Sequence, residues 1–269
     1  MYSYGGNLSK SSKGNQIKFE SNGKIIKLDL LGYEGLAEAV AYDMALCTNI
    51  ENPVEYNTGK FKYDNRMYTG CSSKNFLNEN EEFVSYWRLM KSYGFDYEKI
   101  AKEKSTEGLI VEVIKFIDEV TNLDSRIWLA KLIEFDFLIK NDDRHLRNIG
   151  LIYNTQSKTF NYMPIFDNGG GMMSDLTMYQ LYNSIRENEN LLNSKPFNCD
   201  RNKQLEAIRN VCGSHLIVNI EEILDISVYQ YSEYHVSILQ RVEEIVRRSV
   251  MEWKLSDRSK GITESLTFK

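Results

Sequence analysis

The stretch Asn141-Asp142-Asp143-Arg144-His145-Leu146-Arg147-Asn148, followed by Pro164-Ile165-Phe166-Asp167-Asn168-Gly169, constrains this chain more than any other. It sets an Asp five residues before an Asn, and a second Asp nineteen residues beyond that Asn in a turn-forming context. Phosphoryl transfer leaves little covalent chemistry to a protein; it needs a carboxylate at the attacking hydroxyl and oxygen ligands that hold a divalent cation on the phosphates. Asp143, Asn148 and Asp167 can supply those parts. Asp142 competes for the first role by adjacency, but only Asp143 stands five before Asn148 and two before His145. The spacing alone also fits an ordinary polar loop, so the flanking segments decide.

Those segments aim the loop. Leu123-Asp124-Ser125 can cap a helix, and Ile127 through Ile139 is mostly apolar, which predicts a buried helix ending at the loop. Ile149–Tyr153 and Phe160–Met163 bracket the polar turn Asn154–Lys158, which predicts a hairpin whose far end presents Asp167. Near the start, Ile17–Phe19 and Lys24–Leu30 flank Ser21-Asn22-Gly23, a hairpin signal. Strand alternation puts Lys27 on the face opposite Ile26 and Leu28. The polar run before this hairpin contains Gly5, Gly6, Ser9, Ser11 and Ser12, a composition whose backbone N–H groups can fold over phosphates. A helix is expected from Glu34 to Cys47, with Glu38 on a small apolar stretch. Two more strands are expected over Val54–Tyr63 and Arg66–Ser73. Helices are expected over Glu82–Ser92 (core face Phe83, Tyr86, Trp87, Leu89, Met90), Leu109–Val120 and Tyr234–Lys254.

The run Phe135-Asp136-Phe137-Leu138-Ile139 with Asn141, and Asp143-Arg144-His145 with Asn148, resembles the catalytic segment of the HipA-like serine/threonine kinases, especially the short CtkA-like members. These share a distant kinase fold with the phosphoinositide lipid kinases. The resemblance implies an α+β, two-lobed protein-kinase-like fold: a small antiparallel-sheet lobe with one helix over residues 1–76, and a larger, mainly helical lobe over 77–269. It implies ATP and Mg2+ as cofactors, with Asp143 as the catalytic carboxylate and Asn148 and Asp167 as metal ligands. Lys27 would hold the phosphates and Glu38 would hold Lys27, with Glu34 as competitor. Gly5, Gly6, Ser9, Ser11 and Ser12 would cover the nucleotide, and the segment Lys74-Asn75-Phe76-Leu77 would be the hinge at the adenine. His145 is expected to order the loop through Asp136 rather than act as the base. Gly169-Gly170-Gly171 occupies the place of an activation segment, and Tyr179–Asp200 is where substrate contacts are expected. Asn168 departs from the Phe that follows the metal Asp in conventional kinases. An antitoxin or regulatory protein is the partner implied.

Composition narrows the alternatives. A formal net charge of -5 gives no general basic field, which disfavours non-specific nucleic-acid binding. Cys47, Cys71, Cys199 and Cys212 are widely separated and suggest neither a zinc site nor a disulfide framework. No signal-peptide layout opens the chain and no apolar run approaches ~18 residues, so a cytoplasmic protein without a membrane partner is expected. Three readings follow: a protein Ser/Thr kinase that phosphorylates an unidentified protein and also itself at Ser9, Ser11 or Ser12; a lipid or small-molecule kinase; and a non-catalytic nucleotide-binding module.

Overall fold

The computed structural model describes residues 16–266, with side chains through residue 257. A four-stranded antiparallel sheet is built first, from β1 (Lys18–Ser21), β2 (Lys24–Leu28), β3 (Asn57–Tyr63) and β4 (Arg66–Lys74) in the spatial order β1-β2-β4-β3. Asn22 and Gly23 both take positive φ, as the tight two-residue turn between β1 and β2 requires. That turn fixes the register, with Lys18 opposite Lys27. Helix α1 (Glu34–Leu46) leaves β2 and crosses beneath the sheet. A second, three-stranded antiparallel sheet follows, with β5 (Glu81–Ser85) and β7 (Thr159–Tyr162) on either side of β6 (Gly150–Asn154). The rest is helical: α2 (Tyr86–Tyr93), α3 (Tyr97–Glu103), α4 (Thr106–Thr121), α5 (Arg126–Leu138), α6 (Ile185–Glu189), α7 (Arg201–Cys212), α8 (Ile220–Leu224) and α9 (Val236–Leu266).

One large core runs through the helical part and takes in the inner face of α1 through Leu36, Val40 and Met44. Helix α5 lies at its centre. Leu129, Leu132, Ile133, Phe135 and Leu138 are buried on several faces of it, the pattern of a helix with no solvent side. Its buried Glu134 accepts hydrogen bonds from Arg209 Nε at 2.7 Å and from the backbone N–H groups of His215 and Leu216 at 2.8 Å. The helix that delivers the Asp143 loop is therefore clamped on a polar anchor as well as by packing. No helix among the described residues is long and apolar enough to cross a membrane.

Two expectations from sequence are corrected here. Residues 81–85 form strand β5 rather than the start of a helix, with Phe83 opposite Ile152. The helix begins only at Tyr86, where Ser85 Oγ accepts the Arg88 N–H. A free edge on the β6–β7 hairpin takes up the segment, and that long-range pairing outweighs local pattern. Trp87 consequently faces outward at 41% exposure, under the Arg147 guanidinium, and is not a core residue. The strand expected from Val54 starts at Asn57; Val54 instead donates its N–H to the Ile165 carbonyl.

The approach of α1 to the sheet depends on Gly35, whose open side lies against the Gly70 backbone of β4, while Gly70 in turn lets β4 lie close to β2. A methyl group on Gly35 would lie 2.6 Å from the Gly70 carbonyl carbon, and one on Gly70 would lie 2.2 Å from the Lys27 carbonyl oxygen. Glu38 sits one turn after Gly35, so this backbone contact sets how near Glu38 comes to Lys27. Gly35→Ala would add about 1 kcal/mol of helix preference, but overpacking at such a contact costs about 1–3 kcal/mol. We expect a lowered denaturant midpoint for Gly35→Ala; an unchanged or raised midpoint would show that the helix position does not depend on this contact.

Candidate active site

Lys27, Glu38 and Asp167 meet beneath the sheet, brought there by β2, α1 and the segment after β7. Lys27 Nζ donates to Glu38 Oε1 and, at 2.7 Å, to Asp167 Oδ1. Burial alone would push the Lys27 ammonium down, but the Asp167 and Glu38 carboxylates outweigh it and hold the group well above its ordinary value. Burial likewise acts to raise Asp167, and Lys27 and Lys18 reverse that, holding its carboxyl far below the usual range. Both groups are charged at neutral pH. Tyr56 Oη completes the corner, accepting from Lys27 Nζ and from the Asp167 N–H at 3.4 Å each. Glu38 also accepts the Asn168 N–H on its second oxygen at 2.8 Å, so one carboxylate ties α1 to both the strand lysine and the Asp167 segment. Glu34 is occupied elsewhere, accepting the backbone N–H groups of Leu31 and Gly32 at 2.9 and 3.0 Å.

Asp143, Asn148 and Asp167 lie on two different segments, and Arg144 joins these. Its side chain is fully buried. Nε donates to both oxygens of Asp136 on α5 at 3.1 and 2.9 Å, Nη1 to the Phe166 carbonyl at 2.6 Å, and Nη2 to Asn168 Oδ1 at 2.6 Å. Burial pushes the Asp136 carboxyl up and Arg144 offsets part of that, while Arg144 itself is held above its ordinary value by Asp136 despite its own burial. Three contacts to one guanidinium and an amide from Asn141 at 2.8 Å satisfy an ionised Asp136. This corrects the expectation for His145: Arg144 orders the loop through Asp136. Asn168 is polar where conventional kinases carry Phe because its side chain meets that guanidinium. Phe166, two residues earlier, is the aromatic member and packs against Phe76 and Phe83 at 5.1 and 5.4 Å.

Within the loop, Asn141 Oδ1 accepts the Asp143 N–H at 3.1 Å, and the Asn148 amide donates to the Asp143 carbonyl at 2.9 Å. The second bond turns Asn148 Oδ1 the other way, where it is buried with no hydrogen-bond partner. An orphaned buried acceptor fits a cation ligand. Among the described residues no group of three or more His, Cys, Asp or Glu converges, and Mg2+ does not need one, since it is usually held by one or two protein oxygens together with waters and phosphates. The residues present therefore fit Mg2+.

The Asp143 side chain is 54% exposed and receives Lys195 Nζ at 2.8 Å. Asp142, the competitor by adjacency, is engaged differently: Tyr179 donates its hydroxyl to it, and burial pushes the Asp142 carboxyl up to about 6 although that bond opposes the shift. Near neutral pH it is mostly ionised beside Asp143, and it takes up a proton as the pH falls through about 6. Sequence reasoning gave no role to Arg144, Tyr56 or Lys18, and placed Lys195 and Tyr179 only within the Tyr179–Asp200 stretch expected to contact substrate. Lys74 ends β4 with an exposed side chain, while Phe76 turns its ring into the packing with Phe166. Both line a cavity of about 430 Å3 with Lys24, Ser72, Asn75 and Pro164, and that cavity does not include Lys27, Asp143 or Asp167. Gly5, Gly6, Ser9, Ser11 and Ser12 lie outside the described residues.

With this geometry in place, a likeness to a solved structure can be read. The crystal structure of a Helicobacter pylori proinflammatory kinase, CtkA, superposes with a TM-score of 0.61 over 94% of this chain and 94% of that one, at 17% sequence identity. At that identity the likeness is one of fold: an α+β chain with an antiparallel-sheet N-terminal region and a larger helical part, as in that kinase. No protein-family description and no curated protein sequence matches the chain.

The Arg144–Asp136 pair yields a prediction that separates stability from site geometry. Arg144→Met leaves a buried carboxylate without its partner and should cost about 3–5 kcal/mol in denaturant unfolding. Arg144→Met combined with Asp136→Leu removes both charges and should recover most of that loss. A double variant as unstable as the single one would contradict the assignment of Asp136 as the main partner.

Proposed function

We propose that this chain is an ATP- and magnesium-dependent phosphotransferase, and specifically a protein serine/threonine kinase. The observation that carries the reading is the convergence of Lys27, Glu38 and Asp167 with the orphaned Asn148 Oδ1 and the exposed Asp143. The shared fold with a kinase supports it. Asn148 and Asp167 would hold Mg2+, which when bound neutralises charge on the phosphates. Lys27 would hold phosphate oxygens, with Glu38 fixing its direction. Asp143 would accept the proton of the acceptor hydroxyl as its oxygen bonds to the γ-phosphorus and the bridging bond to the β-phosphate breaks, leaving ADP.

The exposure of Asp143 supports a side-chain acceptor on a polypeptide. Small-molecule sites commonly enclose most of their ligand's surface, whereas this carboxylate faces solvent, beside a segment that presents Met178, Leu181 and Tyr182 outward. Ser9, Ser11 and Ser12 are the self-acceptors we propose from sequence. In this reading Lys195, which meets Asp143 from the segment expected to contact substrate, has to share that carboxylate with the incoming hydroxyl.

The test is transfer of labelled γ-phosphate from ATP with Mg2+ to the protein itself, to a generic Ser-containing protein and to lipid head groups. Asp143→Asn should lower transfer by about 10²–10⁴-fold, the usual worth of a general base. Label on Ser or Thr in the wild type alone supports the proposal. Label confined to lipid overturns the acceptor class, and Mg2+-dependent ATP binding without transfer to any acceptor would make the chain a nucleotide-binding module.

A further inference from the structure

Lys18 has no part in the roles assigned so far, yet it reaches the same oxygen as Lys27. The Asn22-Gly23 turn pairs the two lysines directly across β1 and β2, which puts their side chains on one face with Cβ atoms about 5 Å apart. Lys18 Nζ lies 3.3 Å from Asp167 Oδ1 and Lys27 Nζ lies 2.7 Å from it. The Lys18 side chain is only 19% exposed, so it is placed against the site rather than extended into solvent. Like charges directly opposite each other across strands are unfavourable, and here the acidic groups below the sheet offset that. Lys27 has two such partners, Glu38 and Asp167. Lys18 has one among the described residues, Asp167.

This balance holds only while Asp167 is available to both lysines. When Asp167 and Asn148 serve as cation ligands, the Asp167 charge is committed and Lys18 loses its partner next to a site that has just gained positive charge. A polyanion arriving with the cation would restore the balance, and a triphosphate meets that requirement. We propose that Lys18 is a second phosphate-binding cation, turning from Asp167 to the phosphates of ATP beside Lys27. The proposal rests on the nucleotide site proposed above. The competing role is that of a shield, in which Lys18 only masks Asp167 in the empty site.

Equilibrium binding separates these without any turnover. Wild type, Lys18→Met and Lys18→Arg would be titrated calorimetrically with MgATP, MgADP, adenosine and Mn2+ alone, with thermal unfolding recorded for each. Loss of one charge-assisted contact should weaken MgATP binding by Lys18→Met about tenfold or more. Adenosine binding and the unfolding midpoint should stay as in the wild type, and Lys18→Arg should recover most of the MgATP affinity. Unchanged MgATP affinity with tighter Mn2+ binding would overturn the proposal in favour of the shield. Equal losses for ATP and adenosine, or a lowered unfolding midpoint, would overturn it in favour of a structural role. A wild-type protein that binds no MgATP would instead remove the nucleotide site itself, and this proposal with it.

Discussion

A single buried guanidinium holds the two halves of this site in register. Arg144 leaves the loop that carries Asp143 and Asn148, pairs with Asp136 on the central helix, and donates to Phe166 and Asn168 on either side of Asp167. The backbone adds weaker ties, with the Asp142 N–H donating to the Gly170 carbonyl at 3.4 Å, but the guanidinium is the charged group that bonds on both sides of Asp167. A buried ion pair of this kind contributes little net stability, because desolvation consumes most of the Coulombic gain. Its worth here lies in geometry: five donors in a rigid fork fix three acceptors at once, which a lysine could not do.

The same economy appears on the sheet side. Glu38 spends one oxygen on Lys27 and the other on the Asn168 backbone, so helix, strand and Asp167 segment share one carboxylate. The Gly35–Gly70 contact lets that helix lie close enough for the carboxylate to reach. Asp167 itself sits at a φ of 58°, in the left-handed region that few non-glycine residues adopt. Strained backbone of this kind persists where surrounding contacts over-determine it, and Tyr56, Glu38 and Arg144 supply those contacts to residues 166–168.

Much of this was legible in the sequence where local rules dominate. The apolar run from 127 to 139 carries no polar stripe, and it became helix α5, buried from Leu129 onward apart from the half-buried Lys131. The Asn-Gly turn gave the β1–β2 hairpin, and the register of a two-residue turn already places Lys18 opposite Lys27, a signal present but not used. Residues 82–85 read as a helix start because Phe83 continues the helical spacing of Tyr86, Trp87 and Met90, whereas the strand they form depends on an edge supplied some seventy residues later. His145 drew attention as the titratable member of Asp143-Arg144-His145, but a buried carboxylate such as Asp136 demands a permanent, forked donor. Lys195 and Tyr179 had no local mark, since their partners Asp143 and Asp142 are brought to them by the packing of the helical part.

The proposed function stands or falls on whether Asn148 and Asp167 form a cation site for a nucleotide next to Lys27. Its most direct test is the affinity of the wild-type protein for ATP with magnesium and with magnesium chelated. Binding should be at least about tenfold tighter with magnesium, and that difference should be lost in Asp167→Asn. Equal affinity in both conditions, or a magnesium dependence that survives in Asp167→Asn, would contradict it.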